Sequence, residues 1–269
     1  MSIFSIENKR VVITGGSGVL GQAAVQYLLE NNAKVCVINR SPQKLEALLT
    51  KWSAVGEVCG FSGDVLDQGF LENVRDQLKE QWGGIDVLIN AAGGNKPGAV
   101  IQPDSQFFDA SIEDLKSVFD LNILGTLLPT YVLAALFPED GHSSVINYSS
   151  MAADRAITRV LGYSMAKGSI DVFTKWLAVE FAKKYGERIR VNAVAPGFFL
   201  TEQNERLLTN EDGSLTDRGQ VIVQNTPYGR FGQADELNGI IHYLCSPASR
   251  FTTGIIIPID GGFSAFSGV

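Results

Sequence analysis

Cysteine and histidine are scarce in this sequence: 269 residues hold three cysteines, Cys36, Cys59 and Cys245, and two histidines, His142 and His242. The cysteines are odd in number, widely separated and without CxxC spacing, so neither a disulfide framework nor a thiolate metal site is expected. Buried, reduced thiols in a cytoplasmic protein are the expectation instead. Neither histidine stands at ligand spacing, which argues against a metal. Charge is sparse as well, at 19% of residues, and the balance is −7. An acidic surface without a local basic patch repels phosphate backbones, so nucleic acid is not an expected partner. No run approaches the roughly 18–20 apolar residues of a membrane span. Residues 1–10 lack the apolar core of a leader peptide.

Hydrophobic residues, at 45%, and glycine, at 28 residues, are plentiful. A chain of this length buries a large core, and glycine in excess without low complexity marks tight turns and close backbone approach to a ligand. Short β-branched runs at 9–14, 34–39, 57–61, 85–90, 144–148, 188–194 and 255–259 alternate with helical patterns. The helical stretches are 19–31, 42–53, 68–82, 112–137 (with a break at Pro129) and 164–185. Apolar strands alternating with helices predict an α/β Rossmann-type domain, a doubly wound seven-stranded parallel sheet with helices on both faces. No repeat or linker divides residues 1–269, and the polar, irregular stretch 197–232 reads as a lid over a site.

The first strand runs into Thr14-Gly15-Gly16-Ser17-Gly18-Val19-Leu20-Gly21, which opens the first helix. Such a turn lets a pyrophosphate approach the helix N-terminus, where free N–H groups and the dipole favour anions. The second strand ends at Asn39-Arg40, near the ribose-recognition distance. An acid there would hold the 2′-hydroxyl of NAD; a neutral Asn39 followed by Arg40 favours the 2′-phosphate of NADP(H), with NAD(H) as the alternative. Further along, Tyr163 and Lys167 are four apart, hence on one helical face. A nearby ammonium lowers a phenol's pKa and makes it a usable acid–base group.

Taken together and in order, Thr14–Gly21, Asp64-Val65, Asn90-Ala91-Ala92-Gly93, Asn122, Ser149-Ser150, Tyr163-x3-Lys167 and Pro196-Gly197-x3-Thr201 resemble the short-chain dehydrogenase/reductase family over nearly the whole chain. The resemblance implies a nicotinamide-dependent oxidoreductase. It implies that Tyr163 exchanges a proton with the substrate oxygen and that Ser150 hydrogen-bonds that oxygen. Lys167 would hold the nicotinamide ribose and lower the tyrosine pKa, while Asn122 would position a water leading to solvent. Cofactor contacts would come from Gly15, Ser17, Gly18, Val19, Leu20, Gly21, Asn39, Arg40, Asp64, Val65, Asn90, Ala91, Gly93, Pro196, Gly197 and Thr201, besides Tyr163 and Lys167. One departure is Val19, where short members of the family carry glycine; the spacing Gly15-x2-Gly18-x2-Gly21 is that of extended members. The basic residue many NADP-using members carry in this turn is also missing.

Gly94-Asn95-Lys96, Asp260-Gly261-Gly262-Phe263 and the tail 264–269 resemble the D-mannonate oxidoreductase (fructuronate reductase) branch. That implies a keto-sugar acid as the small-molecule substrate, with Asn95, Lys96, Arg155 and Arg159 as candidate anchors and Arg230 beyond the lid. Another carbonyl on the same machinery, a 5-keto-gluconate or a 3-oxoacyl thioester, is the alternative; a silent dinucleotide regulator is a third reading. Family members are usually dimers or tetramers. A helical stripe of Ile170, Phe173, Leu177 and Phe181 fits either core or an interface.

Overall fold

Alternation of side chains along a strand decides how this sheet is covered. The structure, a computed structural model, describes residues 2–201 and 204–268. Its strands are β1 (Arg10–Thr14), β2 (Lys34–Asn39), β3 (Val58–Ser62), β4 (Val87–Asn90), β5 (Ser143–Tyr148), β6 (Ile189–Pro196) and β7 (Ile256–Ile259). They form one all-parallel sheet in the order β3-β2-β1-β4-β5-β6-β7. Parallel neighbours need crossovers, which here are helices α1 (Val19–Glu30), α2 (Pro42–Trp52), α3 (Gln68–Trp82), α4 (Ile112–Phe119), α5 (Gly125–Leu133) and α6 (Leu161–Tyr185). Short α7 (Glu205–Leu208) and α8 (Asp217–Gln224) precede α9 (Asn238–Cys245). Val11, Ile13, Val35 and Val37 face one layer with Val25 and Leu28 of α1 and Ile241 of α9. Val12, Cys36 and Ile38 face the other, with Leu71, Val74 and Leu78 of α3 and Leu133 of α5. The two-residue period thus sorts each strand into both halves of the core.

Strand order reverses between β1 and β4, and the crevice beyond their carboxyl ends is where such sheets bind ligands. Thr14 Oγ1 accepts the Ala92 N–H at 3.2 Å, holding the β4 exit against the β1 exit.

Three expectations need correction. The helical stretch 112–137 breaks at a π-turn, Asp120–Leu124, where the Gly125 N–H reaches back to the Asp120 carbonyl. Pro129 lies inside α5 instead, in a helix whose Thr126 and Thr130 hydroxyls bond back to carbonyls one turn earlier. Taken as one, residues 112–136 are long and apolar enough to cross a membrane, although the stretch packs here as core helices and close to half of it is buried. Finally, the thiols are not all buried: Cys59, the register partner of Cys36 across β2 and β3, is only half-buried.

On α6 the stripe Ile170, Phe173, Leu177 and Phe181 turns inward, with Ile170 and Leu177 buried and both phenylalanines against Val145 and Val191. Its outer face shows Val172, Trp176 and Val179 to solvent, and the neighbouring helical region shows Leu124, Leu127 and Tyr131.

Candidate active site

The cofactor cradle starts from two glycines that nothing larger replaces. Gly15 has φ +70°, and a Cβ there would lie 2.7 Å from the Ala92 nitrogen. A Cβ on Gly21 would lie 2.6 Å from the Gly15 carbonyl oxygen and 2.8 Å from the Gly16 Cα. Gly18, by contrast, has ordinary φ, and its Cβ would meet the Gly15 carbonyl only at 3.5 Å. No side chain caps α1, and no acid stands in its first turn, so its leading N–H groups at Val19, Leu20 and Gly21 remain for an anion. This fits a dinucleotide pyrophosphate. Gly21→Ala is expected to destabilise the fold by about 1–3 kcal/mol through the backbone clash and to loosen nucleotide binding, while Gly18→Ala stays within about 0.5 kcal/mol of the parent. Thermal unfolding and a fluorescence titration with NADH check both; a Gly21→Ala protein with unchanged stability and affinity contradicts the cradle geometry.

On the adenosine side, the buried Ser17 hydroxyl donates to Asn39 Oδ1 at 2.6 Å, tying the turn to the end of β2. Asn39 Nδ2 reaches the Ser41 carbonyl at 3.2 Å. Arg40 is exposed and makes no ion pair among the described residues. Asp64, exposed after β3, accepts the Leu66 N–H at 2.9 Å, and Val65 is buried. The Asn90 side chain turns into the protein, where Nδ2 donates to Thr130 Oγ1 at 2.8 Å and Asn147 Oδ1 at 2.9 Å. Asn147 in turn donates to Thr174 Oγ1 at 2.9 Å. Only the backbone of Asn90 and Ala91 is therefore left to face a ligand.

Strand β5 and helix α6 bring the candidate catalytic residues together. Ser150 leads a short turn after β5, its Oγ accepting the Ala152 N–H at 3.2 Å. It also hydrogen-bonds the half-buried Tyr163 phenol, which lowers that group's pKa; burial outweighs this and pushes the phenol up. Lys167, 4% exposed, donates to the Tyr148 carbonyl at 2.7 Å and sits 5.5 Å above the Tyr163 ring centroid. The expected lowering of the phenol by Lys167 is thus not seen here, because the ammonium lies over the ring face and is engaged with a backbone oxygen. Burial lowers Lys167 itself to about 8, against a smaller opposing pull from Asp171.

Asn122 is fully buried in the π-turn. Its Nδ2 donates to the Gly94 carbonyl at 2.7 Å and the Val118 carbonyl at 2.8 Å, and its Oδ1 accepts the Gly94 N–H at 3.2 Å. The side chain therefore holds the loop after β4 rather than presenting polar atoms to a water. Gly93 fills the gap between Asn122 and Lys167: a Cβ there would lie 2.7 Å from Asn122 Oδ1 and 3.3 Å from Lys167 Nζ.

Beyond β6, a Cβ on Gly197 would strike Asp260 at 2.7 Å. The Thr201 N–H donates to Asn204 Oδ1 at 2.8 Å. The base of the 197–232 loop is pinned by the Gly232 N–H on the Phe198 carbonyl at 2.8 Å. Phe198 meets Phe263 edge-on at 5.2 Å, Phe199 is buried and Phe266 is exposed. Glu202 and Gln203 of this loop, like Met1 and Val269, lie outside the described residues.

The candidate anchors separate clearly. Arg230 is chelated by Glu236, with Nη–Oε distances of 2.6 and 2.8 Å, and its charge is already spent. Arg155 pairs with Asp154 at 3.6 Å and donates to the Ser264 carbonyl of the tail. Lys96 is exposed, with Asn95 Oδ1 accepting its N–H at 2.9 Å. Arg159 is half-buried, has φ +75° and no ion pair among the described residues. Arg218, which no sequence pattern singled out, reaches the neighbouring Thr158 from helix α8.

Residues 17–264 match a family model described as enoyl-(acyl carrier protein) reductase. An uncharacterized oxidoreductase of Bacillus subtilis called UxuB is 41% identical over 275 residues, covering 98% of each chain. Among solved structures, a Haemophilus influenza protein assigned provisionally as a D-mannonate oxidoreductase, with bound NAD, superposes with a TM-score of 0.91 at 38% identity and full coverage of both chains. Gluconate 5-dehydrogenase of Gluconobacter oxydans is 28% identical over 263 residues, 97% of each chain.

Proposed function

From the premise that the chain belongs to the short-chain dehydrogenase/reductase family and is a nicotinamide-dependent oxidoreductase, we propose that it interconverts a keto-sugar acid of the D-fructuronate type and the matching secondary alcohol of the D-mannonate type. The convergence of Ser150, Tyr163 and Lys167 beyond the carboxyl ends of β4 and β5 carries the reaction class. The likeness to the Haemophilus protein supports the substrate. A 5-keto-gluconate is the second reading, favoured by the Gluconobacter relative.

Gly15, Gly18, Gly21 and the α1 N-terminus would hold the pyrophosphate; Ser17, Asn39, Arg40, Asp64 and Val65 would hold the adenosine end. Pro196, Gly197 and Thr201 would close on the nicotinamide end, with the 197–232 loop as lid. When bound, the nicotinamide supplies or takes the hydride. Tyr163 gives its phenolic proton to the carbonyl oxygen as the ketone becomes an alcohol, and takes it back in the reverse direction. Ser150 donates to the same oxygen. Lys167, which lies over the Tyr163 ring face and donates to the Tyr148 carbonyl, would hold the nicotinamide ribose. Asn122 keeps the Gly93-Gly94 backbone pressed against that pair.

The exposed apolar faces of α6 and of the 124–131 region support a homo-oligomer, a dimer or tetramer. Free thiols support a reducing, cytoplasmic setting.

The reading is tested by assaying D-fructuronate, 5-keto-gluconate and an acetoacetyl thioester with NADPH and with NADH. Turnover of a sugar acid is expected; turnover of the thioester alone overturns the substrate. Arg40 supports a preference for NADP(H), since guanidinium suits a phosphate. Arg40→Ala is expected to cut kcat/KM for NADPH on the order of 10- to 100-fold and leave that for NADH unchanged. A parent enzyme using NADH alone overturns the preference.

A further inference from the structure

Two arginines meet where three loops of the cleft converge. Arg159 stands four residues before Tyr163 on the segment between β5 and α6. Its carbonyl accepts the Ile101 N–H at 2.9 Å, which seats the segment on the loop after β4. From the other side comes Arg218, in the first turn of α8 within the lid. Its Nη2 reaches the Thr158 carbonyl at 3.3 Å and its Nη1 the Thr158 hydroxyl at 3.4 Å. Both contacts are long, and the remaining N–H donors of the guanidinium have no acceptor among the described residues.

This arrangement is costly as it stands. Arg218 is half-buried, and both burial and the neighbouring Arg159 disfavour its charge. Neither arginine has a carboxylate within 4 Å among the described residues, although Arg10, Arg75, Arg155 and Arg230 all do. Arg159 also holds a left-handed backbone, φ +75°, a conformation that side chains other than glycine and asparagine avoid and that clusters at functional sites. Two neighbouring cations with no carboxylate partner among the described residues keep their planar donors available to an anionic group.

We propose that Arg159 and Arg218 together receive the carboxylate of the substrate, so that α8 closes the lid by docking onto the charged end of the molecule. The ligand class is a small carboxylate-bearing ketone or alcohol, and this rests on the sugar-acid reading above. Planar guanidinium groups match a planar carboxylate, one from each wall of the cleft. The fixed wall supplies Arg159 and the lid supplies Arg218. A neutral ketone lacks the group that neutralises the pair, so the same device discriminates against it. Arg155 and Arg230 cannot substitute, since their forks are occupied.

The test compares the parent with Arg159→Gln, Arg218→Gln, the double variant, Arg218→Lys and Arg159→Gly, using D-fructuronate as the probe. Each glutamine variant is expected to raise the KM for D-fructuronate on the order of 10- to 100-fold, the worth of a charge-assisted hydrogen bond. The dissociation constant for NADH and the melting temperature stay at the parent values. Arg218→Lys recovers part of the loss, and Arg159→Gly loses substrate affinity while keeping or gaining stability, because glycine relieves the positive φ. The double variant costs less than the sum, since both groups share one ligand. Parent turnover with glutamine variants whose KM stays within twofold overturns the pair and leaves the substrate reading intact. A rise in KM accompanied by weaker NADH binding or a lower melting temperature assigns the pair to packing and overturns the proposal. A parent that turns over no sugar acid overturns both.

Discussion

Tyr163→Phe is expected to lower kcat by about 10³-fold, within the range of 10²–10⁴ that a positioned proton donor contributes. The change removes a single oxygen from a half-buried ring. Packing against Lys167 is retained, because the ammonium lies over the ring face at 5.5 Å rather than on the hydroxyl. The hydrogen bond with Ser150 is lost, which costs about 1 kcal/mol of stability or less. NADH affinity should therefore hold while turnover collapses. Steady-state kinetics beside a nucleotide titration separate the two, and a phenylalanine variant retaining more than a tenth of the parental kcat would remove Tyr163 from the proton transfer.

Lys167→Met should produce a second large effect, in which stability and activity move in opposite directions. Burial lowers the Lys167 ammonium to about 8, whereas the unfolded chain holds it near 10.4. Below pH 8 the group is charged in both states, and the full cost of burying the charge is present. Between about pH 8 and 10.5 the unfolded chain keeps the proton and the folded chain releases it, so stability rises through that window. A gap of this size corresponds to about 3 kcal/mol. Methionine carries no charge at any pH. The cofactor-free variant should be more stable than the parent at pH 7 by about 1–2 kcal/mol, once the lost bond to the Tyr148 carbonyl is deducted. By pH 10.5 the order should reverse, because only the parent gains the roughly 3 kcal/mol across the window and its neutral amine keeps the bond to the Tyr148 carbonyl, leaving the parent ahead by about 1–2 kcal/mol. Turnover of the variant should fall at least 10²-fold for want of the side chain that would position the nicotinamide ribose. Urea unfolding at pH 7 and pH 10.5 on both proteins reads the difference directly; a constant offset between them would mean that Lys167 titrates as an ordinary lysine.

Much of this molecule is written locally. The β-branched runs, the Gly15–Gly21 turn and the Tyr163–Lys167 spacing are legible because each depends on neighbours within a few residues, where helical and strand periods operate. Element ends drift by a residue or two for the same reason. The break in the 112–137 stretch is not set by local pattern. Proline is the usual disruptor, but Pro129 is tolerated inside α5. The π-turn instead holds Asn122, whose side chain is bonded to Gly94 on another loop, and nothing near residue 122 in sequence announces that partner. The α6 stripe shows the same limit. Ile170, Phe173, Leu177 and Phe181 are equally suited to core or interface until β5 and β6 are seen to cover them, leaving Val172, Trp176 and Val179 outside.

The sequence by itself determined the order of strands and helices, the glycine turn that opens α1 and the placing of Tyr163 and Lys167 on one helical face, since these are set by short-range sterics and by spacing along one helix. Only the tertiary structure decided which charges are spent and which are free. Arg230 finds Glu236 six residues away and Arg155 finds the tail, while Arg218, 59 positions from Arg159, contacts the neighbouring Thr158 and neither arginine has an ion pair among the described residues. Pairing of that kind depends on how α8 meets the segment that leads into α6. Coulomb energy depends on distance in space and on burial, and neither can be read along the chain.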